Sequence, residues 1–228
     1  MTLDSAPASR DDSPDASLVV SVLGGTGEQG RGLARRFALA GHRVVLGSRS
    51  AARAEQAAVG LPGTVSGTAN ADAAARGDVV IVAVPWEGHK ELLQELAPVL
   101  AGKVVVDCVN PLAFDKLGAY ALRVEEGSAA QQAASVLPES RVVAAFHHVS
   151  AVLLLDETVT SVDTDVLVLG DDREATDLVE ALVARIPGMR GIYAGRLRNA
   201  AQVEALTANL ISINRRYKAH AGIRITDV

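Results

Sequence analysis

The chain holds a single cysteine, Cys108, among 228 residues. That excludes an internal disulfide and fits a reducing, cytoplasmic setting. No Cys/His run has metal-ligand spacing, so no metal is expected. No stretch of 18 or more uninterrupted apolar residues occurs, which argues against a transmembrane helix. Yet apolar residues make up 49% of the chain and the mean hydropathy is +0.21, values of a well-packed globular protein. The formal net charge of −5 argues against a nucleic-acid or membrane-surface partner. Residues 1–17 are rich in Asp, Ser, Ala and Pro. They have neither a basic start nor an apolar core, so they read as a disordered tail and not as a signal peptide. No internal repeat is visible.

What is present is an alternation of short apolar runs with helix-period segments. Strands are expected at Leu18–Leu23, Arg43–Leu46, Val79–Val84, Lys103–Asp107, Arg141–Phe146 and Asp165–Leu169. Helices are expected near Glu28–Ala40, Ala51–Ala58, Gly88–Leu100, Ser128–Val136 and Arg173–Ile186. The strands are nearly continuous apolar runs, as parallel strands covered on both faces are. The reading is α/β, a Rossmann-like, doubly wound and mostly parallel sheet with a small C-terminal helical extension. Asn199–Ala219 has no break and reads as one long amphipathic helix. A soft boundary near residue 150 divides a nucleotide domain (18–150) from a small C-terminal domain (151–228) that completes a site.

The first strand breaks into Gly24-Gly25-Thr26-Gly27-Glu28-Gln29-Gly30, with Gly25, Gly27 and Gly30 in G-x-G-x-x-G spacing ahead of a helix. That context lets a dinucleotide pyrophosphate sit against backbone N–H groups at a helix N-terminus. Thr26 and the backbone of Gly27, Glu28 and Gln29 are the groups expected to face the phosphates. An NAD site usually has an acid after the second strand, to hold the ribose hydroxyls. Here Gly47-Ser48-Arg49 follows instead, with Arg53 one helical turn on. A hydroxyl and two guanidiniums suit a 2′-phosphate and so NADP(H); the competing reading is a solvated basic turn.

Other candidates cluster at strand ends. Val84-Pro85-Trp86 carries the only Trp; it packs either on a cofactor or in the core, and Lys90 either reaches a phosphate or is solvated. Asp107-Cys108-Val109-Asn110-Pro111 ends the next strand. Asp107 as a base and Cys108 as a nucleophile are both disfavoured, since nothing basic is adjacent and free Cys is usually buried. His147-His148 follows the fifth strand, and either a proton-donor or a structural role is open for His147. Arg196–Val228 carries six Lys/Arg against two acids. Arg215, Arg216 and Lys218 either complement a helix dipole or form an electropositive mouth for an anionic second ligand.

Taken together, Gly24-Gly25-Thr26-Gly27, Gly47-Ser48-Arg49, Pro85-Trp86-Glu87, Gly170-Asp171-Asp172 and the stretches Ile213–Lys218 and Gly222–Ile225 resemble the NADPH-dependent coenzyme F420 reductases, or F420-dependent NADP oxidoreductases, from about Leu18 to Ile225. The resemblance implies hydride transfer between NADP(H) and the deazaflavin coenzyme F420, the latter as second substrate. It places Thr26 to Gln29 on the phosphates and Ser48, Arg49 and Arg53 on the 2′-phosphate. It places Trp86, Lys90 and Leu112 beside NADP and Ala151 near the nicotinamide. Ala221 or Gly222 would line the deazaflavin pocket, and His147 matches a family histidine. Ser150 stands where archaeal-type members have proline, a departure that bears on the deazaflavin pocket. Such chemistry needs ring alignment more than acid–base groups, so no catalytic side chain is assigned.

Two other functions fit the fold: an NADP-dependent reductase of a small organic substrate, and a non-catalytic NADPH-sensing protein. Leu206, Leu210 and Ile213 on the last helix pack either within the chain or across a dimer, and a homodimer is the preferred expectation.

Overall fold

The computed structural model describes residues 18–228, so the tail expected over residues 1–17 lies outside the described residues. In chain order the elements are β1 (Val19–Leu23), α1 (Glu28–Leu39), β2 (Arg43–Ser48), α2 (Ala51–Ala58), β3 (Val65–Ala69), α3 (Asn70–Arg76), β4 (Val79–Val82), α4 (His89–Leu100), β5 (Val104–Asp107), β6 (Leu112–Asp115), β7 (Gly118–Ala121), α5 (Ala129–Val136), β8 (Arg141–Ala144), α6 (Ala151–Leu155), β9 (Thr164–Gly170), α7 (Arg173–Ala184), β10 (Met189–Gly195) and α8 (Ala200–Tyr217).

Eight strands form one sheet in the order β10-β9-β8-β5-β4-β1-β2-β3. Every neighbouring pair is parallel except β8 and β9. The α/β, Rossmann-like reading therefore holds. The chain runs outward from β1 through β2 to β3, then returns to place β4 on the other side of β1. That reversal opens a crevice at the carboxyl ends of β1 and β4, where such sheets bind ligands.

Burial on both faces explains the apolar runs. Val20 and Val22 join one core with Leu33 and Phe37 of α1, Leu154 of α6 and Val179 of α7. Val19 and Leu23 face the other, with Ala73 of α3, Leu93 and Leu96 of α4, Ala133 of α5 and Val203 of α8. The sheet does not stop at residue 150, since β9 and β10 extend it.

Absent from the sequence expectation are β3, α3, α6, β10 and the β6–β7 hairpin. β3 and β10 are the two sheet edges. Each is only half-covered and contains a glycine, Gly67 or Gly191, so neither presents an apolar run. The long helix ends at Tyr217, where Lys218 takes a left-handed conformation (φ 50°). Gly41 closes α1 with φ 95°, the left-handed turn expected of it.

One buried side chain fastens α1 to the segment after β8. Arg36 is 2% exposed. Its Nε donates to the carbonyl of Leu154 at 2.9 Å and its Nη1 to that of Val159 at 2.7 Å. Nη2 donates to the carbonyls of Leu153 and Asp156. The guanidinium thus takes up the carbonyls that end α6. Gly32, where a Cβ would sit 2.6 Å from Cβ of Leu154, allows this approach. Arg36→Met keeps the apolar stem but leaves buried carbonyls unpaired, and is expected to cost about 3 kcal/mol. Thermal unfolding monitored by circular dichroism should show a Tm fall of roughly 6–12 °C.

Candidate dinucleotide site

The crevice holds a cavity of about 520 Å³ at the carboxyl ends of β1, β2, β3 and β4. Of the residues expected in a cofactor site, it gathers Thr26, Gly27, Glu28, Gln29, Ser48, Arg49 and Arg53. It adds Gly24, Asn70, Ala83, Val84, Pro85, Glu87, Gly88 and Leu92.

The glycines divide their work. A Cβ on Gly25 would lie 2.7 Å from Cδ2 of Leu46. One on Gly30 would lie 2.9 Å from the carbonyl oxygen of Gly24 and from Cα of Gly25, so Gly30 lets α1 close on the loop. Gly27 is different: a Cβ there would meet nothing nearer than 3.6 Å. Its φ of −80° suits any residue, and it caps α1 without a side-chain hydrogen bond. Packing within the chain does not require glycine at 27. A phosphate approaching the backbone N–H groups at the start of α1 does. These are the observations by which the cradle fits a pyrophosphate.

At the end of β2 stands Ser48, buried, its Oγ accepting from the Ser50 N–H at 3.3 Å. Ser50 caps α2 by accepting from the Arg53 N–H at 3.4 Å, which projects Arg53 toward the same cavity as Arg49. Both guanidiniums are exposed, and no acid among the described residues takes up either one. The residue sequence reasoning missed is Asn70, the first of α3. It is 8% exposed, lines the cavity, and its Oδ1 has no hydrogen-bond partner among the described residues. Without β3 in the sequence reading, nothing marked position 70 as a strand end.

Other expected residues lie elsewhere. Gly25 packs under the loop, and its N–H donates to the Gly47 carbonyl at 3.0 Å. Trp86 does not line the cavity; it stacks on His89, with ring centroids 5.6 Å apart. Lys90 is paired with Glu126 at 2.7 Å. Leu112 begins β6 and Ala151 begins α6, both half-buried. Ala221 and Gly222 belong to a strap beside the start of β9. The Ala221 N–H donates to Oδ1 of Asn214 at 2.6 Å, and a Cβ on Gly222 would lie 2.4 Å from Oγ1 of Thr164. The strap is held by Asp165, which is wholly buried. It accepts from Arg190 (2.7 and 2.8 Å), from Arg224 (2.6 Å) and from the Ile225 N–H (2.7 Å). The Arg190 hydrogen bond holds the Asp165 carboxyl below the usual range.

One turn of α8 knits together the loops after β5 and β8 and the start of α5. The Val203 carbonyl lies 2.6 Å from Nε2 of His148. Glu204 accepts from the N–H groups of Ala129 and Ala130 at the start of α5, at 2.9 and 3.1 Å. Thr207 donates to Oδ1 of Asn110 and to the carbonyl of His147, each at 3.2 Å. The ring nitrogens of His147 are buried without a hydrogen-bond partner among the described residues, and burial pushes its pKa down to about 4, so it is neutral. Burial pushes the Cys108 thiol far up. Neither side chain offers a proton or a thiolate at neutral pH.

This sheet, its glycine loop and its cation-lined cavity define a Rossmann-type dinucleotide-binding protein. The family model described as "NADP oxidoreductase coenzyme F420-dependent" matches residues 19–111. The chain is 41% identical to the F420-dependent NADP reductase of Methanothermobacter thermautotrophicus over 224 residues, covering 92% of this chain and 96% of that one. It is 39% identical to the F420-dependent NADP reductase of Methanocaldococcus jannaschii, covering 92% and 99%. The crystal structure of a provisionally named F420-dependent NADP reductase from Arthrobacter sp. FB24 superposes with a TM-score of 0.81 at 28% identity, covering 92% and 100%. The chain belongs to the F420-dependent NADP reductase family.

Glu204 generates a pH prediction. Burial pushes its carboxyl up to about 7 against two N–H groups that hold it down. A raised folded pKa means that its contribution to stability is full below about pH 4.5 and is lost as pH rises toward 7. Urea unfolding should therefore show the protein losing ~2–3 kcal/mol between pH 4.5 and 8 from this group. In Glu204→Gln that loss should be absent.

Proposed function

We propose that this protein transfers a hydride between NADP(H) and coenzyme F420, with NADP(H) in the cavity of the glycine loop. The observation that carries the cofactor choice is the pair Arg49 and Arg53, uncommitted and beside buried Ser48 where an NAD site would have an acid. Bound NADPH supplies the hydride, and the deazaflavin ring accepts it. Thr26 to Gln29 cradle the pyrophosphate, and Ser48, Arg49 and Arg53 hold the 2′-phosphate. Asn70 presents an amide to the adenosine half.

The residues at the second half of the crevice suit a reaction between two rings. His147 is neutral, Cys108 is protonated, and Asp107 is committed to His89 at 2.6 Å. The chain therefore aligns and excludes water here, and moves no proton. Residues 151–228 complete the deazaflavin side, through Ala151 and through the strap carrying Ala221 and Gly222. Arg215, Arg216 and Lys218, all exposed at the end of α8, attract the anionic tail of the deazaflavin.

We further infer a cytoplasmic homodimer. Phe114, Leu117 and Tyr120 of the β6–β7 hairpin are 68%, 95% and 47% exposed, and β7 packs against α8, whose Ile213 and Tyr217 are also exposed. Among the described residues no helix is long and apolar enough to cross a membrane. Leu117→Asp with Phe114→Ser is expected to shift the sedimenting mass from two chains to one. A wild-type protein that sediments as one chain ends the dimer reading.

Mixing protein, NADPH and oxidised F420 should bleach the deazaflavin absorbance. No bleaching with NADPH still bound would favour a sensor. Arg49→Asp with Ser48 kept should lower kcat/KM for NADPH about 100-fold and bring NADPH and NADH near parity, since charge-assisted bonds to the 2′-phosphate are lost and a repulsion is added. Charge-neutral replacement of Arg215, Arg216 and Lys218 together should raise the KM for F420 while leaving that for NADPH unchanged.

A further inference from the structure

The first turn of α4 contains a buried polar chain that the cofactor site does not use directly. His89 is wholly buried, as is Asp107 at the end of β5. Nε2 of His89 lies 2.6 Å from Oδ2 of Asp107, and Nδ1 lies 3.1 Å from Oε1 of Gln132 on α5. The orientation of Gln132 is fixed, because its Nε2 donates to Oε2 of Glu126 at 3.1 Å. Glu126 in turn pairs with Lys90 and is held down to about 2, so it can only accept. Both ring nitrogens of His89 therefore face acceptors, and both must carry a proton. The ring is an imidazolium, and Trp86 is stacked on it with an interplanar angle of 30°.

Trp86 sits in the middle of the turn that walls the cavity. Pro85, Glu87 and Gly88 on either side line it, and the indole points back onto His89. The His89 N–H donates to the Trp86 carbonyl at 3.1 Å, closing the turn. The other oxygen of Asp107 accepts from the Val109 N–H at 3.0 Å, so the same carboxylate also shapes the loop after β5. We propose that His89, as an imidazolium clamped by Asp107 and Gln132, is a positioning residue for NADP(H): it holds Trp86 and thereby sets the Pro85–Gly88 wall of the cofactor cavity. The inference rests on the reading that this cavity is the NADP(H) site.

The charged groups around the ring agree. Burial works against the imidazolium, and Asp107 from β5, the Gln132 hydrogen bond from α5 and Glu204 from α8 together outweigh it; the ring's pKa stands above the usual histidine value. Lys90, the cation next in the chain, is neutralised by Glu126.

Trp86 is the only tryptophan, so its emission reads this contact alone. An imidazolium quenches indole emission more than a neutral imidazole does. Wild-type emission should therefore rise as pH increases, with a midpoint above about 6.5, and NADPH affinity measured calorimetrically should weaken over the same interval. In His89→Gln the emission rise should vanish, and the NADPH dissociation constant should increase about tenfold with kcat at saturation within about twofold. In Asp107→Asn the emission midpoint should move down. A folded His89→Gln protein that binds NADPH within about twofold of wild type overturns the proposal. Should that variant not fold, a wild-type NADPH affinity that is flat through the emission transition overturns it equally. Arg49→Asp measured alongside separates the two readings. If it weakens NADPH while His89→Gln does not, only the positioning role fails; if neither weakens it, the cavity is not the NADP(H) site.

Discussion

The site depends on how closely α1 can approach the ends of β1 and β4. Three backbones meet there, with the Gly30 Cα side facing the Gly24 carbonyl and a Gly24 Cβ position only 2.6 Å from the Ala83 carbonyl. Any side chain at those points would push the helix start away from the sheet. The helix N-terminus would then no longer sit at the mouth of the crevice, and its unpaired N–H groups would face water in place of a phosphate. The rest of the cavity is arranged around that contact. The β2 end contributes cations, the β3 end an amide, and the β4 end a turn braced from behind by an aromatic ring.

Distant parts of the chain also meet at one turn of α8. Val203, Glu204 and Thr207 touch the loop after β8, the start of α5 and the loop after β5 respectively. Each contact is a single hydrogen bond or a pair of them, and those of Glu204 take up two N–H groups at the start of α5 that lie within the first helical turn. Alignment of two coenzyme rings requires such fixed loops more than it requires reactive side chains.

How much of this was legible in the sequence depends on whether a signal was local. The glycine loop, Ser48, Arg49 and Arg53 were readable because each lies within one strand–turn–helix unit and its chemistry needs only neighbours in the chain. The interior strands were readable because burial on both faces forces apolar runs such as Val19–Leu23. The edge strands were not: Val65-Ser66-Gly67-Thr68-Ala69 and Met189-Arg190-Gly191 are half-covered and carry polar residues and glycine. Losing β3 also hid Asn70. The pairing of His89 with Asp107 is 18 residues apart and crosses from a helix to a strand end, so no spacing rule would find it. Trp86 stands out as the sole Trp, but its direction is set by that same long-range pair.

The strap that carries Ala221 and Gly222 has a consequence for how the chain reaches its folded state. Asp165 lies at the start of β9, yet its partners come 25, 59 and 60 positions later, at Arg190, Arg224 and Ile225. Until those arrive, β9 cannot be sealed without burying a lone carboxylate, which is prohibitively costly. Contacts so far apart in sequence form late and slowly. One carboxylate therefore makes β9, β10 and the strap stable only together, since removing any one of them leaves Asp165 without part of its hydrogen-bonding shell.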